Sequence, residues 1–314
     1  MPIIISLILN NDFQLYLGYL KLVFIIILAS LIPSLMSYDD FSDYYIKWMV
    51  TLSAASLSIY GILLIYPSIV SGFPTIHGYS ETNKYYNLWL YAYRITESKI
   101  YSNSSIFWEP GAFQVCLNLA LIFELHKNQF KHLHKILLFM VCIITTFSTT
   151  GYICLLIIIF IQFIKHHMIM VHYKNMKRNK IYFRMFIGLM VIGGLYSNVL
   201  EKVYITKFSS DNYSYFSRSI GTLVDLKIFT KAPLIGVGTS GYKSLVPTIA
   251  LNNYFIEMGG STNSLTRALA TYGIIFIIPL LIFYFTSTII ITNKIFERLL
   301  YFLIIVIFFM TEHF

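Results

Sequence analysis

Hydrophobic blocks on the scale of a bilayer-crossing helix, which takes about 20 residues, recur along almost the whole of this 314-residue chain. The candidate spans are Leu22–Met36, Trp48–Val70, Gly111–Leu125, Leu133–Phe147, Gly151–Ile164, Phe183–Val199, Leu265–Thr292 and Leu299–Met310. Hydrophobic residues make up 57% of the chain and charged residues 12%, against about 25% charged in soluble domains. The mean hydropathy is +0.69. In lipid every backbone polar group has to be satisfied internally, which leaves helices and closed barrels. A barrel needs strands of alternating polarity, and these blocks do not alternate. The expected fold class is therefore all-α: one polytopic integral membrane domain over residues 1–314, with about eight or more transmembrane helices.

The net charge of +9 does not point to nucleic acid, because the cations cluster in a few loops between spans. His126–Lys135 carries Lys127, Lys131 and Lys135, and Lys165–Arg184 carries Lys165, Lys174, Lys177, Arg178, Lys180 and Arg184, both without acids. By the positive-inside rule these loops face the cytoplasm. Ser37–Lys47 and the Lys294–Arg298 loop fall on the same side. Ser71–Trp108, the turn at Ser148-Thr149-Thr150 and a large extracytoplasmic loop, 201–267, fall outside. The histidines of the basic loops, His126, His132, His134, His166, His167 and His172, include pairs at metal-ligand spacing but are expected to have no acidic or cysteine partner, so solvated or headgroup-contacting histidine is the reading. Cys116, Cys142 and Cys154 lie inside apolar segments and fit neither a metal spacing nor a disulfide framework. No metal or cofactor is expected. No cleavable signal peptide is expected either, and the apolar start Met1–Leu9 reads as the tail of a helix lost by truncation.

Glu109-Pro110-Gly111 is the most pointed local feature. Pro110 suits the first turn of a helix, where its missing N–H costs nothing. Phe107 and Trp108 are aromatics of the kind found at headgroup depth. An acid at the mouth of a hydrophobic span is costly without a role or a partner. One turn in, Gln114 and Asn118 either glue helices together or line a polar cavity running inward from Glu109.

The long outer loop exceeds what a passive connector needs. From Arg218 to Lys231 its pattern is helical, with Ile220, Leu223, Val224 and Ile228 on one stripe and Arg218, Thr222, Asp225 and Phe229 on another. Pro233 ends it. The loop's cations, among them Arg218, Lys231 and Arg267, either meet lipid headgroups or bind an anionic substrate such as a lipid-linked diphosphate, which arginine chelates through its paired donors. Gly236-Val237-Gly238-Thr239-Ser240-Gly241 matches G-x-G-x-x-G, but a dinucleotide site needs a strand before it and a helix after. Here it reads as a glycine-rich turn that lets backbones pass closely, with room beneath for a phosphate. Ser261–Ser264 supplies N-cap residues for the next helix, with Asn263 among them, and Arg267 either snorkels or joins an anion site.

Ile106–Gln114, Ser148–Gly151, Pro233–Gly241 and Thr262–Gly273, in this order, resemble the bacterial O-antigen and capsule polysaccharide polymerases (Wzy-type) and the related O-antigen ligases. The resemblance covers roughly Ser71 to Ile278 and implies a membrane glycosyltransferase of the GT-C kind. Such an enzyme joins undecaprenyl-diphosphate-linked oligosaccharides, donor to acceptor, at the outer face of the bacterial cytoplasmic membrane, without a nucleotide sugar. The family's essential loop arginine maps to Arg218. The arginine that often precedes Glu-Pro-Gly is missing, so Lys99 or Arg94 has to stand in. Thr262 occupies the position where ligases commonly carry histidine, and the chain is short for the family.

The expected function is polymerisation of lipid-linked repeat units. Arg218 is the first choice and Arg267 the second for stabilising the departing diphosphate, and Glu109 is the choice for activating the acceptor. Arg267, Asn263, Gly236, Gly238, Lys231 and Arg94 are the substrate-binding candidates. Membrane lipid and a chain-length regulator or flippase are the expected partners. The rival readings are a flippase or transporter, a ligase, and a non-catalytic partner of a polysaccharide assembly complex.

Overall fold

A computed structural model describes residues 16–77, 84–88, 91–94, 102–107, 109–170, 213–254, 258, 260, 261 and 263–311. The described chain is mostly helical. It divides into two compact units, Phe24–Ile158 and Ile159–Phe314 together with Met1–Val23. The expected span Phe183–Val199 lies outside the described residues.

Helix α1 (Tyr16–Leu35) belongs to the Phe24–Ile158 unit from Phe24 on, and α2 (Tyr38–Ile65) follows in that unit. Ser37 caps α2, its hydroxyl accepting from the Asp40 amide at 3.1 Å, and Asp39 and Asp40 favour the positive helix start. The helix therefore begins ten residues before the expected Trp48 and ends at Ile65, where a 3-10 turn, Pro67–Gly72, takes over. A small antiparallel sheet follows, β1 (Thr75–His77), β2 (Lys84–Asn87) and β3 (Ala92–Arg94), paired in that order. The described chain is mostly helical, in keeping with the all-α expectation, and this small sheet is a local addition to it, beside which Tyr91 is buried with Tyr60, Leu63 and Val70.

Helix α3 (Pro110–Lys127) is the centre of this unit. It buries Ala112, Phe113, Gln114, Leu117, Asn118 and Leu121, among others, and packs on α2 and on α4 (Leu133–Thr145). α5 (Thr149–Met170) starts in the same unit. Cys142 and Cys154 are buried free thiols and Cys116 is half-buried.

The second unit contains α6 (Tyr213–Phe229), α7 (Gly238–Tyr254), α8 (Ser264–Tyr272), α9 (Ile274–Ser287) and α10 (Ile295–Thr311). The expected single span Leu265–Thr292 is two helices broken at Gly273, whose φ is 73°. α6 starts at Tyr213, so Arg218 lies inside the helix and does not open it. Ile220, Val224 and Ile228 of α6 meet Tyr242, Val246, Ile249 and Ala250 of α7 and Ala270 of α8 in one core. Leu223, expected on that stripe, is 47% exposed.

Among the described residues one helix, Tyr38–Ile65, is long and apolar enough to cross a membrane. Leu133–Thr145, Thr149–Lys165 and Ile274–Ile290 are apolar but shorter.

Candidate functional site

The α6–α7–α8 core carries a buried carboxylate, Asp225, at 0% exposure. Its Oδ1 accepts from the Tyr242 hydroxyl at 2.7 Å and its Oδ2 from the Thr266 hydroxyl at 2.6 Å. The Tyr242 oxygen in turn accepts from the Ser261 amide at 3.2 Å. The Ser261 hydroxyl accepts from the Asn263 amide at 3.1 Å, and Asn263 Oδ1 accepts from the Thr266 amide at 3.2 Å. These bonds close a ring from Asp225 through Tyr242, Ser261, Asn263 and Thr266 back to Asp225. Asn263 is thereby the N-cap of α8, as its sequence position suggested. Its side-chain Nδ2 also donates to the Thr222 hydroxyl at 3.4 Å. Gly221 lets this loop come close, because a Cβ there would sit 3.1 Å from the Ser261 hydroxyl oxygen.

Burial pushes the Asp225 carboxyl above the usual carboxylate range; hydrogen bonds from Thr266, Tyr242 and Ser261 and the charge of Arg267 pull it back part of the way. Burial and the adjacent Asp225 raise the Tyr242 phenol well above its ordinary value, so it stays protonated and donates. Arg267 is exposed at the rim, with its guanidinium 5.7 Å from the centre of the Tyr242 ring. No carboxylate lies within ion-pair distance of it among the described residues.

The glycine-rich turn docks on the other end of α8. Val237 N–H donates to the Ala270 carbonyl at 3.1 Å, and Ile274 and Ile275 donate to the carbonyls of Pro233 and Leu234 at 3.0 and 3.1 Å. Gly236 and Gly238 both have positive φ, 71° and 73°, and both are buried. A side chain on Gly236 would overlap the backbone of Thr271 and Tyr272. Close passage of two backbones therefore accounts for Gly236. No strand precedes the motif among the described residues: a turn at 230–235 leads into it and α7 follows. Lys231 is exposed in that turn.

Arg218 stands one helical turn before Thr222 on the same α6 register. Arg94 pairs with Tyr85 in the small sheet. Glu109 occupies the N-cap position of α3 with extended backbone and is half-buried; its side chain makes no capping bond. Phe107, just before it, stacks on Phe113 one turn in, with rings 5.6 Å apart. Arg218, Lys231, Gly236, Gly238, Asn263 and Arg267 thus belong to one unit, and Arg94 and Glu109 to the other.

Below Glu109, Gln114 and Asn118 are both fully buried, and the Asn118 amide donates to Gln114 Oε1 at 3.0 Å. Gln114 lies against Gly151 of α5. The pair sits at a helix contact, while Gln114 Nε2 and Asn118 Oδ1 have no hydrogen-bond partner among the described residues. Asn103, which sequence reasoning passed over, is a second buried polar centre. It accepts from the Ser56 hydroxyl and from the Ser105 amide, and it donates to Thr145 Oγ1 at 3.1 Å. Its amide also donates to the Thr145 carbonyl at 2.9 Å.

The opposite ends of the helices correct the histidine expectation. His132 has an acidic partner: its Nδ1 lies 2.8 Å from Oε1 of the fully buried Glu124, which also meets Asn128 at 3.2 Å and Lys135 at 3.9 Å. Lys127 pairs with Asp43 at 2.6 Å and Asp39 at 3.8 Å, so a basic loop and the acidic stretch assigned to the same side do meet. In the other unit Lys165 and Lys294 both approach the buried Glu297, at 3.4 and 3.5 Å. Among the described residues no three His, Cys, Asp or Glu side chains could hold a metal ion together.

No family model, no curated protein and no solved structure matches this chain.

Proposed function

We propose that the chain is a polytopic membrane glycosyltransferase that polymerises undecaprenyl-diphosphate-linked oligosaccharide repeats at the outer face of the bacterial cytoplasmic membrane. The observation that carries this reading is convergence. Two separated segments with family-like sequence, Pro233–Gly241 and Thr262–Gly273, interlock backbone to backbone, and Tyr242, directly after the first, joins the second in the Asp225 ring, with Arg267 exposed beside it. The membrane setting draws support from helices that are apolar on their outward faces too: Ile278, Ile282 and Phe283 of α9 and Phe296 and Leu299 of α10 are exposed.

In this reaction an acceptor sugar hydroxyl attacks the donor's anomeric carbon. The bond from that carbon to the diphosphate oxygen breaks, and the diphosphate leaves with the electron pair. Arginine stabilises that charge without a metal: Arg218 first, Arg267 second. The acceptor's proton passes to a base, and the sequence-based candidate is Glu109, tested separately by Glu109→Gln. Lys231, Gly238 and Arg94 remain the proposed substrate contacts, whereas Gly236 is taken up by the backbone crossing and Asn263 by the α8 cap.

The test is surface-polysaccharide chain length in the native host, comparing wild type, a deletion, Arg218→Ala and Glu109→Gln at matched membrane levels. Collapse to single lipid-linked repeats on the outer face in the deletion and in Arg218→Ala supports polymerisation. Repeats held on the cytoplasmic face identify a flippase, and long chains that stay lipid-linked identify a ligase. Full-length chains in Arg218→Ala remove that arginine from the mechanism, and if the deletion alone loses them the chain is a non-catalytic partner.

A further inference from the structure

Asp225 is fully buried and both its oxygens are taken, so it does not reach a substrate itself. A buried carboxylate is a poor device for stability, since an apolar or neutral residue of similar shape commonly serves as well. What Asp225 does hold is specific. Through Tyr242 it fixes the aromatic face under the Arg267 guanidinium, 5.7 Å away. Through Thr266 it fixes the residue next to Arg267 in the first turn of α8, where the Arg267 amide bonds to the Asn263 carbonyl at 3.0 Å. Both routes end on one exposed arginine that meets no carboxylate at ion-pair distance among the described residues.

We infer that Asp225 is a positioning residue, which acts through Tyr242 and Thr266 to hold the Arg267 guanidinium ready for the diphosphate of a lipid-linked glycan; the inference rests on the polymerase reading above. A guanidinium gains its advantage over an ammonium from fixed, paired donors. Holding it over a buried ring keeps that geometry and spares the cost of ordering a long side chain when the diphosphate arrives.

The test uses the full chain in lipid nanodiscs, with a sugar-free polyprenyl diphosphate as the binding probe and lipid-linked repeats for turnover. Asp225→Asn keeps the shape and removes the charge. Tyr242→Phe keeps the ring and removes the hydroxyl that links it to Asp225. Each is expected to weaken probe binding and raise KM about tenfold, with a much smaller change in kcat. In an Arg267→Ala background the same two substitutions are expected to cause no further loss. Thermal unfolding run in parallel identifies a variant that has lost its fold, and the other variant then carries the test. Losses that multiply with that of Arg267→Ala overturn the positioning role and leave the polymerase reading standing. A wild-type protein that neither binds the probe nor lengthens chains overturns the polymerase reading, and the inference falls with it.

Discussion

Gly236 and Gly273 face each other where two backbones cross: a Cβ on Gly273 would stand 2.6 Å from the Gly236 nitrogen and overlap the Leu234 carbonyl. Both residues have positive φ, 71° and 73°. The crossing is what locks the turn before α7 to the junction of α8 and α9. Gly236→Ala and Gly273→Ala are each expected to cost at least about 3 kcal/mol, from left-handed strain plus backbone overlap. Gly260→Ala, with open space around it, is expected to stay within about 0.5 kcal/mol. Thermal unfolding of the purified protein measures all three, and equal midpoints for Gly236→Ala and Gly260→Ala would remove the crossing from the account of stability.

The Gly273 break also shows what sequence could and could not convey. Leu265–Thr292 is apolar through most of its length, so hydropathy alone runs one helix through it, and the break is set by a partner segment far away in the chain. The acidic start of α2 reads as loop by its charge, whereas in the fold Ser37 caps the helix there and Asp39 and Asp40 stand in its first turn. The strands at 75–94 are three or four residues long, too short for a period to register among so many tyrosines. On α6 the spacing of Thr222 and Asp225 marked the right face, but Tyr242 as the partner of Asp225 is a tertiary fact. Glu124 falls inside the expected span Gly111–Leu125 and His132 in the basic loop after it, so their pairing shows only in the folded chain.

Asp225 gives a pH signature. Its folded-state carboxyl lies above its ordinary value of 3.8. A carboxyl shifted this way takes up a proton more readily folded than unfolded, so its contribution to stability is greatest below 3.8 and is lost as pH rises through the folded value. The unfolding midpoint of wild type minus that of Asp225→Asn should therefore move in favour of wild type as pH is lowered toward 3.8. A difference that is flat, or that moves the other way, argues that the carboxyl is not shifted upward.

The proposed membrane arrangement makes its own prediction. Lys127 with Asp43, and Lys165 with Lys294 on Glu297, mark helix ends that the positive-inside rule assigns to the cytoplasm. After Cys116, Cys142 and Cys154 are replaced, single cysteines at the exposed positions Lys131 and Asn293 should resist an impermeant maleimide in intact cells and react once the membrane is opened. Cysteines at the exposed positions Ser71 and Lys243 should react from outside. Labelling of Lys131→Cys in sealed cells reverses the topology and takes the outer-face polymerase reading with it.

Gly151 and Gln114 test whether the buried amides of α3 fasten helices. A Cβ at Gly151 would lie 3.1 Å from Gln114 Cβ and 3.2 Å from its Cγ and Oε1. Alanine gains about 1 kcal/mol over glycine in a helix, so with a yielding neighbour Gly151→Ala would stabilise α5. Gln114 cannot yield freely: it is fully buried, and its Oε1 accepts from Asn118. Overpacking of this kind typically costs 1–3 kcal/mol, so a net loss of about 1 kcal/mol is expected for Gly151→Ala. In a Gln114→Ala background the Cγ and Oε1 contacts are gone and only the Cβ approach remains. There Gly151→Ala should be neutral or stabilising, a coupling of about 1 kcal/mol between the two sites. Additive effects would mean that α3 and α5 are free to separate at this point, and would favour the reading in which Gln114 lines a cavity below Glu109.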